Sequence, residues 1–186
     1  MLLQRTRAEK VASIYEAFFD AYPGWRQLAE ADPCELEALV KPLGLWQRRA
    51  DTLRRLAREL VVLGEGIPGS RSEIERLPGV GQYIANAIEL FVYGRPLPLL
   101  DVNMARVLER YFGPRRLADL RHDPGLQSTA KALLSGDRAA EMNWSLLDLG
   151  ATICTRRTAC CPACPVRRGC RYAMGRSSGR DDPQAS

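Results

Sequence analysis

The sequence predicts an all-α protein. Apolar residues recur at helical spacing in segment after segment, Gly, Pro and cap residues punctuate those segments, and little of the chain alternates as a strand would. With 186 residues, 46% of them hydrophobic, the chain can bury a core as one unit or as two closely packed lobes.

Val11, Ile14, Tyr15, Phe18 and Phe19 predict a first helix that Pro23-Gly24 ends. A second is expected over about Cys34–Lys41, with Cys34 packed in it as a small hydrophobe. A longer one is expected over Gln47–Leu63, with Leu53, Leu56, Ala57 and Leu60 inward and Arg48, Arg49, Arg54, Arg55 and Arg58 outward. Ser70 followed by Glu73 is a capping-box pair that opens a short helix stopping at Pro78-Gly79. Further helices are expected over Tyr83–Tyr93, Val102–Phe112, Leu126–Leu134 and Asp137–Ala151. The small, polar tail from Gly175 to Ser186 reads as disordered.

The net charge of +5 suits a polyanionic partner without demanding one. The most apolar stretch, Leu97 to Leu100, is broken by prolines, and the opening Met1–Arg7 turns polar before a signal-peptide core could form. The expected location is therefore cytoplasmic. Five of six cysteines crowd between Cys154 and Cys170, which in a reducing compartment argues for metal over disulfides.

Three patterns carry chemistry. Leu77-Pro78-Gly79-Val80-Gly81 lies between two expected helices, where glycines permit a tight turn and backbone N–H groups at a helix start can grip a phosphate. Asp101 stands before the helix at Val102, as its N-cap or as a rigidly held functional carboxylate. Cys154, Cys161, Cys164 and Cys170 follow C-x6-C-x2-C-x5-C, a set of four thiolates that suits an iron–sulphur cubane. Tetrahedral zinc is the alternative, although zinc sites more often use two C-x2-C knuckles and here there is one.

From Leu77 through Asn86, and on to Asp101 beyond one helix, the chain resembles the endonuclease III and MutY superfamily of DNA glycosylases (HhH-GPD). The cysteine spacing coincides with that of the superfamily's 4Fe–4S cluster, leaving Cys160 unligated. The resemblance implies a helix-hairpin-helix glycosylase fold: a helical-barrel lobe over 1–136 with the hairpin around 72–94, a cluster lobe over 137–174, and the tail over 175–186. It also implies a monomer working on double-stranded DNA with a mismatched or damaged base, in the nucleoid and away from membranes. Leu77, Gly79, Val80 and Gly81 would hold a phosphate, and Arg156 and Arg157 in the cluster loop would press on the backbone; a solvated basic loop that offsets the charge of a thiolate-ligated cluster is the alternative for the two arginines. Arg167, Arg168 and Arg171 lie close by in sequence.

Asp101 would stabilise the sugar cation as the base leaves. Lyase-proficient members carry a lysine at the position that matches Tyr83, so base release without Schiff-base chemistry is expected. Tyrosine there, with Leu2-Leu3-Gln4-Arg5-Thr6, resembles the thymine/uracil–guanine mismatch group. Gln4 matches the residue that plugs the gap left by the flipped nucleotide, and Gly44-Leu45-Trp46-Gln47 the loop that wedges the opposite strand, with core packing of Leu45 and Trp46 at a helix start as the alternative. On this alignment the superfamily's N-terminal helix, and the glutamate that MutY-type enzymes use on adenine, would fall before Met1.

Three alternatives stand beside this reading: adenine removal opposite 8-oxoguanine, a non-catalytic DNA-binding remnant, and a zinc-bearing regulator. His122, the only histidine, has no partner suggested by the sequence.

Overall fold

In a computed structural model that describes residues 1–177, ten α-helices and no strand occur among the described residues, which is the all-α class that the sequence predicts. No described helix is long and apolar enough to cross a membrane. The chain divides into two compact units, Met1–Ala85 and Asn86 onward.

In the first unit, α1 (Ala8–Ala21) turns Val11, Ile14 and Phe18 into a core shared with Leu28, Leu36, Val40, Leu53 and Ala57. α2 (Trp25–Glu30) was not expected. Six residues are too few to show a period, Gly24 supplies no side-chain cap, and the helix stands because Leu28 buries itself where α2 packs on α4. α3 (Pro33–Val40) begins with Pro33 in its first turn and Asp32 accepting from the Cys34 and Glu35 N–H groups. Cys34 is therefore bound through its backbone while its side chain is exposed, contrary to the core position expected of it.

α4 (Trp46–Val62) buries Leu53, Leu56, Ala57 and Leu60 as predicted. Arg49 departs from its expected outward place: it is buried, because its guanidinium finds acceptors inside the unit. α5 (Arg71–Arg76) opens at Ser70, whose hydroxyl accepts from the Glu73 N–H and pairs with the Glu73 carboxylate. α6 (Gln82–Phe91) follows the hairpin and runs through the division between the units.

In the second unit α7 (Val102–Phe112) is the central helix, packed against α8 (Pro124–Leu133), α9 (Ala139–Asp148) and α10 (Arg171–Ser177). Met104 and Leu108 of α7 are fully enclosed with Leu99, Leu126, Ala130 and Leu134. Each such large apolar side chain contributes about 1.5–3 kcal/mol by leaving water. Asp123 caps α8 through the Leu126 N–H and also takes the Arg116 and Leu117 N–H groups.

α9 does not continue to Ala151 as a regular helix. It loosens into a π-helical turn at Leu149–Ile153, where Gly150 lies against α7. Single 3-10 turns at Cys161–Ala163 and Arg167–Gly169 lead into α10. That helix takes in Gly175 to Ser177, the start of the expected tail, and residues 178–186 lie outside the described residues. His122 does have a partner: its Nδ1 is 3.3 Å from Asp119 Oδ2.

Candidate functional site

The hairpin between α5 and α6 closes through the Val80 N–H donating to Leu77 O at 3.1 Å. Leu77 is buried with Leu56 and Leu60, which anchors the turn. Gly79 has φ +75°, and a Cβ there would lie 2.5 Å from Thr52 Cγ2 and Met1 Cε, so only glycine fits. Gly79 and Gly81 are exposed, while Val80 is half-buried.

The opening segment folds back over this turn. Gln4 Nε2 donates to Gly79 O at 3.2 Å. The segment's shape is held by Arg49, whose Nη1 donates to Met1 O (2.9 Å) and Leu2 O (3.2 Å) and whose Nη2 donates to Gln4 O (2.9 Å) and Thr6 Oγ1 (3.1 Å). Arg49 Nε reaches Gly44 O (3.4 Å), and Thr6 Oγ1 donates to Leu43 O (2.8 Å). One buried guanidinium thus ties the Gln4 segment to the turn that precedes α4.

At that turn Leu45 takes the left-handed conformation, φ 52°, ψ 34°, where an N-cap would normally sit, and its side chain is 57% exposed. Both features are unfavourable for leucine in an isolated protein. Trp46 is exposed at 38% and sits beneath the Lys41 ammonium, and Gln47 is exposed. Gln4, Arg5, Leu45, Arg48 and Gly79 border one cavity of about 420 Å³. The structure therefore gathers Gln4, Leu45 and the hairpin, which the sequence named separately, at one place within the first unit. Trp46 and Gln47 do not line the cavity. Tyr83, in the first turn of α6, is 41% exposed rather than packed in the core.

In the second unit Asp101 is the N-cap of α7. Its Oδ1 accepts from the Asn103 N–H (2.9 Å) and the Met104 N–H (2.7 Å), and its Oδ2 from the Asn103 side-chain amide (3.1 Å). The carboxylate is half-buried, held by three donors, and Oδ2 retains lone-pair capacity. Further along the same helix, Arg106 donates to Asn103 Oδ1 (3.0 Å), Gly150 O (2.6 Å) and Cys154 O (2.8 Å). Arg110 donates to Cys154 Sγ (3.3 Å), Thr155 O (2.7 Å) and Arg156 O (3.2 Å), with Tyr172 stacked on its guanidinium. The exposed Arg156 and Arg157 are presented from a loop that α7 holds by its carbonyls.

None of the cysteines is in a disulfide. Cys154, Cys161, Cys164 and Cys170 are half-buried, whereas Cys160 is exposed. Among the described residues no three or more His, Cys, Asp or Glu side chains converge as a group that could hold a metal ion. The predicted ligands thus share a loop without closing on a single ion. As a donor set they remain four unpaired thiols, on a loop braced by an arginine that donates to one of the sulphurs, which suits a soft, thiolate-bound group.

Residues 1–121 match the HhH-GPD superfamily of base excision DNA repair proteins. The chain belongs to that superfamily. Over 175 residues this HhH-GPD protein is 41% identical to the thymine-DNA glycosylase of Aeropyrum pernix, covering 92% of this chain and 78% of the relative. It is 39% identical over 170 residues to the thymine/uracil-DNA glycosylase of Pyrobaculum aerophilum, covering 89% and 74%. A solved structure of a thermostable thymine-DNA glycosylase matches with a TM-score of 0.87 and 32% identity, covering 94% of this chain and 81% of that one.

Sequence reasoning missed what supports the candidate site residues. The charge of Arg49 points to solvent, yet its helical position lies in line with Leu53, Leu56 and Leu60, and that spacing was the signal for its burial. Arg106, Arg110 and Asn143 received no role, since the carbonyls and amides they meet are far off in sequence.

Proposed function

We propose that this protein is a monofunctional DNA glycosylase that flips thymine or uracil out of a mismatch with guanine and hydrolyses its N-glycosidic bond. The observation that carries the reading is Asp101, a half-buried carboxylate fixed by three donors at a helix start. The names of the relatives supply the substrate class.

Extrusion exposes the C1′–N bond to water. As the base leaves with the bonding electrons, positive charge gathers on the sugar, and Asp101 stabilises it while orienting the water that attacks C1′. The Tyr83 phenol cannot form a Schiff base with the opened sugar, so the product is an intact abasic strand. Leu45 enters the strand opposite and Gln4 fills the vacated position, offsetting part of the unstacking cost. The hairpin at Leu77–Gly81 takes a phosphate on its backbone, while Arg156 and Arg157 add attraction to the duplex.

Cys154, Cys161, Cys164 and Cys170 would hold a 4Fe–4S cluster as thiolates, fixing the fold of the loop that carries the two arginines. The enzyme would act as a monomer on nucleoid DNA.

Labelled duplexes with T·G, U·G or adenine opposite 8-oxoguanine, treated with and without alkali after reaction, test this directly. Breakage at T·G and U·G only after alkali is expected. Breakage without alkali contradicts the monofunctional assignment, and cutting confined to adenine contradicts the substrate. Purified protein should be brown, with bound iron and absorption near ~400 nm. A colourless protein with stoichiometric zinc would overturn the cluster.

A further inference from the structure

The segment that delivers Asp101 is a short, irregular, buried strip: Pro98, Leu99 and Leu100 are all buried. Buried backbone outside a helix or sheet must find its hydrogen bonds elsewhere. Here two asparagine side chains supply them. Asn143 on α9 is fully buried; its Oδ1 accepts from the Leu99 N–H at 2.6 Å and its Nδ2 donates to Leu97 O (3.1 Å) and Ala139 O (2.9 Å). Asn86 on α6, 6% exposed, donates from Nδ2 to Pro98 O at 2.7 Å. Upstream, the Arg95 N–H donates to Glu89 O and its guanidinium pairs with the buried Glu89 carboxylate, both at 2.9 Å.

Three consecutive residues, Leu97 to Leu99, are therefore fixed by amides from two helices, two positions before the carboxylate. An apolar side chain in either place would fill the volume and leave these backbone groups unpaired. Asparagine offers a donor and an acceptor on one short, stiff stem, which suits the alternating C=O and N–H groups of an extended strip.

We infer that Asn143 and Asn86 are positioning residues for Asp101, setting where α7 begins and so where the carboxylate meets the sugar. The inference rests on the reading of Asp101 given above. Neither residue touches DNA in this account. Their effect passes through the backbone from Leu97 to Asp101.

Pre-steady-state excision separates this role from a merely structural one: with substrate in excess the burst amplitude counts folded enzyme, and with enzyme in excess the single-turnover rate constant reports the geometry of each folded molecule. In Asn143→Ala the rate constant should drop on the order of 100-fold, the scale of a small misplacement near reacting atoms, with amplitude and duplex affinity retained. Asn86→Ala, which removes the bond to Pro98, should lower the rate constant less, and it decides the matter should Asn143→Ala not fold. Leu134→Ala, in the same core, is the control: a lower Tm with an unchanged rate constant. If the folded asparagine variants lose amplitude or Tm while keeping the wild-type rate constant, the inference is overturned. An active Asp101→Asn in the same series would instead overturn the functional reading beneath it.

Discussion

Gly150 and Asn103 meet so closely that a Cβ on Gly150 would sit 3.0 Å from both the Cβ and the carbonyl oxygen of Asn103. Asn103 gives both its N–H and its side-chain amide to the Asp101 carboxylate. The contact therefore bears on the candidate catalytic group through one residue. Gly150→Ala should push α7 away and cost about 1–3 kcal/mol, the usual cost of overpacking. The excision rate constant should fall further than the folded fraction does. Thermal melts with single-turnover rates check this, and a destabilised variant with a wild-type rate constant would break the proposed link.

Leu45 gives a prediction in which stability and activity move in opposite directions. Its left-handed backbone should cost about 1–2 kcal/mol relative to an ordinary conformation. Leu45→Gly relieves that strain, so its Tm should rise or hold while excision from duplex substrate falls. Excision of uracil from a single strand, where no partner strand needs wedging, should be spared. A glycine variant that keeps full activity on T·G duplex would remove Leu45 from the account.

Arg49 makes a separate case. Replacing it with alanine leaves the carbonyls of Met1, Leu2 and Gln4 without their donor, a loss of about 1–3 kcal/mol if they stay buried. Duplex affinity should weaken as Gln4 loses its place beside Gly79. Arg49→Lys should recover little, since a single ammonium cannot span the four carbonyls and one hydroxyl that the planar fork reaches. Melting curves and binding titrations decide it, and wild-type affinity in Arg49→Ala would refute the positioning of Gln4 by this residue.

The sequence made the helices legible where apolar spacing was long and capped: α4 and α7 lie where periodicity put them, and Asp101 and Ser70 are the N-caps their residue types suggested. Legibility stopped where a side chain is paid for by distant backbone. Arg49 and Asn143 stand in line with the apolar residues of their own helices, but their polar side chains suggest the surface, and only the tertiary fold brings carbonyls to them. Short α2 left no period to read, and α10 depends on Ala173 entering the core and Tyr172 meeting Arg110. The left-handed Leu45 was equally invisible: nothing in a Gly-Leu-Trp triplet says that leucine rather than glycine carries the strain at the start of α4.

The central claim is that Asp101 does the chemistry, and one substitution tests it. Asp101→Asn preserves side-chain volume and an acceptor for the Asn103 and Met104 N–H groups but removes the charge that would stabilise the sugar cation. In single-turnover excision of thymine from a T·G duplex, with alkali to reveal abasic sites, the variant should bind as tightly as wild type and leave the strand uncut. Excision by Asp101→Asn at the wild-type rate would contradict the account.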